Sequence, residues 1–168
     1  MPDLIAPTER LHDAWLKAHA EWGDGLHEDG FGLLPTDEVN SVAGFAVWLA
    51  RLAEDSAHCT YRWIMEGDRV LGGIALRHEF SDFVQRAGHI GYGIRPSARR
   101  RGLATWALGR MVKEARRRGM DRLLLVCEAG DGASAKTIER QGGIRENAGD
   151  GDNGAAWRYW LCTTEPGK

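Results

Sequence analysis

The hydrophobic period of this 168-residue chain changes once, near Cys59. Before that point apolar residues recur every three or four positions. Leu11, Ala14, Trp15 and Ala18 share one helical face, Trp22 follows a turn later, and Thr8 stands where a cap belongs, so a helix is expected from about Glu9 to Trp22. A glycine-rich loop with interspersed acids (Asp24, Glu28, Asp29) follows. A second helix is expected after Thr36 and up to about Glu54, with Val39, Val42, Ala43, Ala46, Val47, Leu49, Ala50 and Ala53 as its apolar face. From Cys59 the period is two: Tyr61, Trp63 and Met65 alternate with Thr60, Arg62 and Ile64. Glu66-Gly67-Asp68 is a turn, Arg69 to Leu76 is the returning strand, and the pair reads as a hairpin. A polar stretch from Phe80 to Arg86 leads to a third strand, Gly88 to Ile94, which Pro96 stops.

Beyond Pro96 strands and helices alternate. Ala104, Leu108, Met111, Val112 and Ala115 line a helix that Gly119 closes. Asp121 to Cys127 reads as a buried strand of the kind found in parallel pairing. A short helix opens at Asp131 or Gly132 and ends at Gly142-Gly143. Glu146 to Ala155 is expected to be a mobile loop, and Trp157 to Cys162 the last strand. The order α-α-β-β-β-α-β-α-β predicts an α/β fold of the α+β kind: a mixed sheet, antiparallel at first, with helices on both faces. The length fits one domain.

Charge is uneven. The net charge is −2, yet Arg95 to Arg122 holds ten Lys or Arg against two acids, so the remainder is strongly acidic. A local excess of this kind points to an anionic ligand and away from a generally basic, nucleic-acid-coating protein. Cys59, Cys127 and Cys162 are odd in number and far apart, which disfavours zinc spacing and a disulfide framework and suits a reduced, cytoplasmic setting. The first ten residues lack a basic start and an apolar core, so no signal peptide is expected, and the apolar run Ala43 to Ala50 is far too short for a membrane span. No metal site and no membrane or nucleic-acid partner is expected. Trp15, Trp22 and Trp48 read first as core, and Arg116-Arg117-Arg118 as cations at a helix C-terminus.

The chemistry concentrates at Arg99-Arg100-Arg101-Gly102-Leu103-Ala104, between a strand and a helix. A helix N-terminus exposes unpaired N–H groups and positive dipole, small residues let an anion approach the main chain, and arginines add forked donors. A nucleoside triphosphate or dinucleotide fold is disfavoured, because neither G-x-x-x-x-G-K-[ST] nor a G-x-G-x-x-G after the strand is present.

In this context Arg99-x-x-Gly102-x-Ala104 resembles the pyrophosphate-binding signature of the GNAT superfamily of N-acetyltransferases. The segment Asp131-x-x-Ser134-x-x-x-Ile138-Glu139-x-x-Gly142-Gly143 and the closing Arg158-Tyr159-Trp160 strand resemble later elements of that family. Gly88-His89-Ile90-Gly91-Tyr92 through Arg95-Pro96-Ser97 is similar to one bacterial branch. The resemblance runs from about Cys59 to Cys162. It implies a single N-acetyltransferase domain: residues 1–57 shape the acceptor site and residues 58–163 bind acetyl-coenzyme A between splayed central strands. It implies further that Arg99, Arg100, Arg101, Gly102, Leu103, Ala104 and Thr105 wrap the pyrophosphate. Tyr92, Gly93 and Ile94 pair with the pantetheine amides, Ile94 N–H faces the thioester carbonyl, and Asp131 and Ser134 touch the cofactor.

Two departures stand out. Asp131 replaces a frequent Asn, and Ile138 replaces a frequent Tyr that serves as general acid. Tyr159 or Tyr61 is the substitute considered for the acid, although a thiol of pKa ~8.5 leaves fairly well unaided. An alkyl amine is only about one part in a thousand neutral at pH 7.4, a penalty of roughly 4 kcal/mol, so a base is wanted. Glu79, His89 and Glu128 are the candidates, each with a plainer reading as a loop acid, a satisfied sheet residue and a strand-end acid; a water chain is the remaining route. The resemblance implies acetyl transfer from acetyl-coenzyme A to a primary amine, with a small-molecule acceptor and a possible homodimer. The alternative is a catalytically degenerate acyl-coenzyme A binding or sensor domain.

Overall fold

The computed structural model describes residues 1–23, 29–146 and 156–164. The expected acidic loop falls mostly outside them: Asp24 and Glu28 are not described, and of Asp29 only the backbone is. Most of the loop expected from Glu146 to Ala155 lies outside as well.

Thr8 caps as expected, but what it caps is a short 3-10 turn, Glu9–Leu11, through a 3.4 Å bond from Arg10 N–H; the α-helix α1 is His12–Trp22. Helix α2 is Val42–Glu54 and starts later than the periodicity predicts. Ser41 Oγ accepts from Gly44 N–H at 3.0 Å, while Glu38 takes both the N–H (3.0 Å) and the hydroxyl (2.7 Å) of Ser41. This capping geometry, and not Thr36, fixes the start. The buried face is Phe45, Trp48, Leu49 and Leu52, and Val42 and Val47 are exposed. An almost wholly apolar helix has no period to select its inner side, so the bulky aromatics decide it.

Among the described residues the strands form two sheets. The first has the order β1-β2-β3-β4, with β1 Asp3–Ile5, β2 Cys59–Glu66, β3 Arg69–Arg77 and β4 Ile90–Ile94. Strand β1, too short to show a period, pairs antiparallel with β2 and sets Ile5 opposite Trp63. The hairpin β2–β3 turns at Gly67, whose φ is +62°. Bonds from Arg77 N–H to His89 O and from Arg95 N–H to Leu71 O show that β4 runs antiparallel to β3. The polar stretch before β4 is a helix, α3 (Asp82–Ala87), capped by Ser81 Oγ on Val84 N–H at 3.1 Å.

The second sheet has the order β5-β7-β6, with β5 Arg122–Glu128, β6 Ile144–Arg145 and β7 Ala156–Cys162. Helices α4 (Leu103–Arg117) and α5 (Gly132–Arg140) flank β5 in sequence. Here the expectation of parallel pairing is corrected: β5 pairs antiparallel with β7, and its one bridge outside the sheet among the described residues, Gly88 with Leu125, is antiparallel as well. The run Leu123-Leu124-Leu125 is buried, and α3 and α5 both touch the strand, so its apolarity reports coverage and not direction.

The chain divides into two compact units, residues 1–75 with 92–104, and residues 76–91 with 105–168. The first unit has an aromatic core. Trp15 lies 4.8 Å from Trp48 and 5.7 Å from Phe31 between ring centroids, and Phe45 and Trp63 close the cluster. Truncating one of these rings costs about 3–5 kcal/mol by the usual range for buried aromatics. The second unit buries Leu108, Met111, Ala115, Leu123 to Leu125, Ile138, Tyr159 and Leu161.

Candidate functional site

Strand β4 is the last strand of its sheet, so one of its edges carries no strand partner among the described residues beyond the bridge at Gly88. The bonds to β3 at His89 and Arg95 fix the alternation. Gly91, Gly93 and Arg95 direct their main-chain groups toward β3, and Ile90, Tyr92 and Ile94 direct theirs outward. Of the three residues expected to pair with pantetheine, Tyr92 and Ile94 therefore turn their main chain to the outer edge, where Ile94 O accepts from Arg99 Nε at 3.0 Å, and Gly93 turns its own to the sheet.

The turn after β4 is braced from α1. Arg95, whose side chain is 11% exposed, donates from Nε to Glu21 Oε2 at 2.7 Å and from a terminal nitrogen to Val70 O at 3.2 Å. Glu21 Oε1 accepts from Ser97 N–H at 2.5 Å. These bonds, with Ser97 the largest cause and Arg95 a lesser one against the opposing effect of burial, hold the Glu21 carboxyl below its ordinary range. Glu21 is not among the residues that sequence reasoning brings forward: 74 positions separate it from Arg95, and no local signal marks such a pair.

The arginine loop itself alternates handedness. Arg100 has φ +64°, the one positive φ at a non-glycine among the described residues, and Gly102 has φ +76°. A left-handed arginine costs of order 1 kcal/mol or more, and such alternation turns successive N–H groups to one side. It delivers them to the start of α4, where the first N–H groups have no partner within the helix. A Cβ built at Gly102 meets nothing within 4 Å, so the space beside that residue is open. The three guanidinium groups do not act alike. Arg99 Nε donates to Ile94 O at 3.0 Å, and Arg101 pairs with Glu66 at 2.6 Å and depresses that carboxyl. Among the described residues Arg100 makes no such bond. Leu103 is buried, Ala104 is half-buried, and Thr105 accepts from Gln141 Nε2 through its carbonyl at 3.0 Å. The result is a cationic run of main-chain donors suited to a phosphate oxyanion.

The remaining candidates belong to the second unit, Tyr61 excepted. Glu79 is exposed between β3 and α3, and Glu128 is exposed at the end of β5. Asp131 spends Oδ1 on Ser134 N–H at 3.1 Å and so caps α5. Tyr159 is buried, and its hydroxyl donates to Glu139 Oε1 at 3.2 Å; burial first, then Glu139, raises its pKa. Tyr61 is raised as well, burial again leading, and its hydroxyl donates to Asp55 at 3.2 Å. His89 is 5% exposed and bonded at both chain and ring, and burial, with Arg77 second, lowers its pKa. Among the described residues no group of three or more His, Cys, Asp or Glu stands ready to hold a metal ion, and no helix is long and apolar enough to cross a membrane.

Comparison with known proteins bears on these features. Residues 31–144 match the family model described as an acetyltransferase (GNAT) domain. No curated protein matches the sequence. Among solved structures, the microcin self-immunity acetyltransferase MccE, in complex with acetyl-CoA and AMP, is 15% identical with a TM-score of 0.68, covering 96% of this chain and 92% of its own. The protein yncA from Salmonella typhimurium, with its cofactor acetyl-CoA, is 14% identical with a TM-score of 0.63, covering 99% and 96%. An acetyltransferase from Salmonella typhimurium that modifies the N-terminal serine of a 50S ribosomal subunit protein is 17% identical with a TM-score of 0.68, covering 96% and 94%. At these identities the likeness is one of fold. The family model spans most of the chain, so the chain belongs to the GNAT acetyltransferase family.

Proposed function

We propose that this protein moves an acetyl group from acetyl-coenzyme A to a primary amine. The observation that carries the reading is the loop of left-handed Arg100 and Gly102 leading into the start of α4, with open space beside Gly102. Main-chain N–H groups from Arg99 to Thr105 receive the diphosphate, with Arg100 as the counter-charge. The outward main chain of Tyr92 pairs with a pantetheine amide as an added strand would. Ile94 N–H points outward and serves as the donor to the thioester oxygen as charge develops there. Acetyl-CoA in MccE and yncA supports the same cosubstrate here.

In the reaction the amine nitrogen attacks the thioester carbonyl carbon, the C–S bond breaks, coenzyme A leaves as the thiolate, and the second proton of the nitrogen passes to water or to that thiolate, leaving a neutral amide. The ammonium proton must go to a base before attack. Glu79 and Glu128 are the exposed carboxylates proposed for it, directly or through water. Tyr159 and Tyr61 are turned to carboxylates and hold their protons tightly, so the thiolate leaves without a tyrosine acid. Asp131 acts as the cap of α5. The acceptor is proposed to be a small-molecule amine; the Salmonella enzyme that acetylates a protein N-terminal serine sets a peptide amino terminus beside it.

The test is release of free thiol from acetyl-CoA by the full chain against panels of polyamines, amino acids, aminoglycosides and short peptides. Acceptor-dependent thiol release with an N-acetylated product supports the reading. Tight binding with no turnover on any panel favours the sensor alternative, and no binding defeats both.

A further inference from the structure

His89 and Leu124 meet through two hydrogen bonds of opposite polarity. His89 N–H donates to Leu124 O at 2.7 Å, and Leu124 N–H donates to His89 Nδ1 at 2.9 Å. An ordinary antiparallel pair would answer the Leu124 N–H with a carbonyl. The His89 carbonyl is not available, because it accepts from Arg77 N–H on β3 at 2.7 Å. The imidazole stands in for it. To accept at Nδ1 a neutral ring must carry its proton on Nε2, so the contact selects that tautomer.

The chain just before is fitted to this contact. Gly88 has φ +85°, and a Cβ there would lie 2.9 Å from Leu124 O and 3.0 Å from Val126 N. Gly88 bridges Leu125. From β3, Arg77 is the charged group acting on the ring, and it donates to Gly88 O at 3.0 Å. The loop before α3 presents the Phe80 ring, 5.9 Å from the imidazole, and β5 presents main chain at Leu124. None of these groups is an anion that would favour an imidazolium, and the Leu124 N–H would oppose a second N–H at Nδ1.

We propose that His89 is a positioning residue and not the base: its ring replaces a ladder carbonyl, clamps the start of β4 to β5 at Leu124, and releases that grip on protonation. The clamp stands on the fold alone; its effect on turnover rests on the acetyl-CoA reading, because β4 continues into the residues whose outward N–H groups are to meet the cosubstrate.

The first measurement is made on the free full chain and needs no ligand. Long-range proton–nitrogen spectra of the six histidines, with His89 assigned through His89→Asn, should show the Nε2–H tautomer at neutral pH. Titration should come only below the ordinary histidine range, with exchange of the Leu124 amide rising as the ring protonates. An Nδ1–H tautomer, or titration without any change at Leu124, overturns the clamp. The second measurement is the pH profile of turnover. Asn places Oδ1 one bond beyond Cγ, where His has Nδ1, and does not titrate. The wild type should lose turnover at acid pH as the ring protonates; His89→Asn should keep kcat within about threefold at neutral pH and lose that acidic fall, whereas loss of a general base costs about 10²–10⁴-fold in kcat. A collapse of kcat in a folded His89→Asn with unchanged KM overturns the positioning role. Should the protein prove inactive, the spectra still decide the clamp, so the two readings fail separately.

Discussion

Glu21 of α1 and Arg95 at the end of β4, 74 positions apart, meet at 2.7 Å, and the same carboxylate accepts from Ser97 N–H. One side chain thus holds both the guanidinium and the main chain of the turn that feeds the arginine loop. Glu21→Ala leaves a largely buried arginine unpaired and an amide without its acceptor, so a loss of about 1–3 kcal/mol is expected by urea denaturation. The Glu21 carboxyl is held below its ordinary value of 4.5 in the fold, so its contribution is fully present above about pH 4.5 and fades as pH falls through the lowered value. Glu21→Gln should remove that acid dependence. An unchanged acid limb in Glu21→Gln would show that the carboxylate does not brace the turn.

Arg100 sits in the left-handed region that glycine occupies at little cost. Arg100→Gly should leave the melting temperature unchanged or raise it, by the equivalent of up to about 1 kcal/mol, because relief of strain outweighs the entropy of glycine. The same variant should bind acetyl-CoA more weakly. A melting temperature lower by several degrees would mean that the arginine supports the fold.

Arg101 is tied to Glu66, and both side chains are partly exposed. Removing the carboxylate with Glu66→Gln should leave the melting temperature nearly unchanged, as loss of an exposed ion pair does. It also frees a guanidinium beside the loop, so acetyl-CoA affinity should rise a few-fold at low salt and converge on wild type at high salt. Equal affinity at all salt concentrations would place Arg101 out of reach of the ligand.

Gly72 of β3 faces Gly93 of β4 so closely that a Cβ on Gly72 would lie 2.2 Å from the Gly93 carbonyl oxygen. That atom is main chain and cannot step aside. Gly72→Ala should destabilise by about 3 kcal/mol or more, or prevent folding, whereas alanine at exposed Gly132, with nothing within 4 Å of its Cβ, should fold normally. Comparable melting of the two variants would contradict the close approach of the strands.

Tyr159→Phe should cost about 1 kcal/mol for the lost bond to Glu139 and leave kcat within a few-fold. A fall of a hundredfold or more would restore Tyr159 as the acid.

The core-forming helices and strands are legible in the sequence wherever amphipathic period is strong, as in β2 and β3 and along α1. They are not legible where the cause is tertiary. Residues Asp3–Ile5 and Ile144–Arg145 are too short to show alternation and are strands only because β2 and β7 pair with them. Helix α3 is hidden because its six residues, Asp82–Ala87, are too few to show an amphipathic period after Ser81. The inner face of α2 escapes a reading by period because valine and alanine surround it, and only the packing of Phe45 and Trp48 selects that side. At the candidate site, the loop motif and its helix can be read directly. The engagement of Arg101 by Glu66 and the capture of the His89 ring by Leu124 cannot, because each depends on a partner 35 positions away.

Reception of the acetyl-CoA diphosphate by the loop from Arg99 to the start of α4 is the step on which the proposed activity depends. Calorimetric titration of acetyl-CoA into the wild-type chain and into Arg100→Glu tests it most directly. Saturable binding to wild type is expected, with at least tenfold weaker binding to the variant, a difference of about 1.4 kcal/mol or more, and both proteins equally folded. No binding to wild type, or equal binding to both, would contradict it.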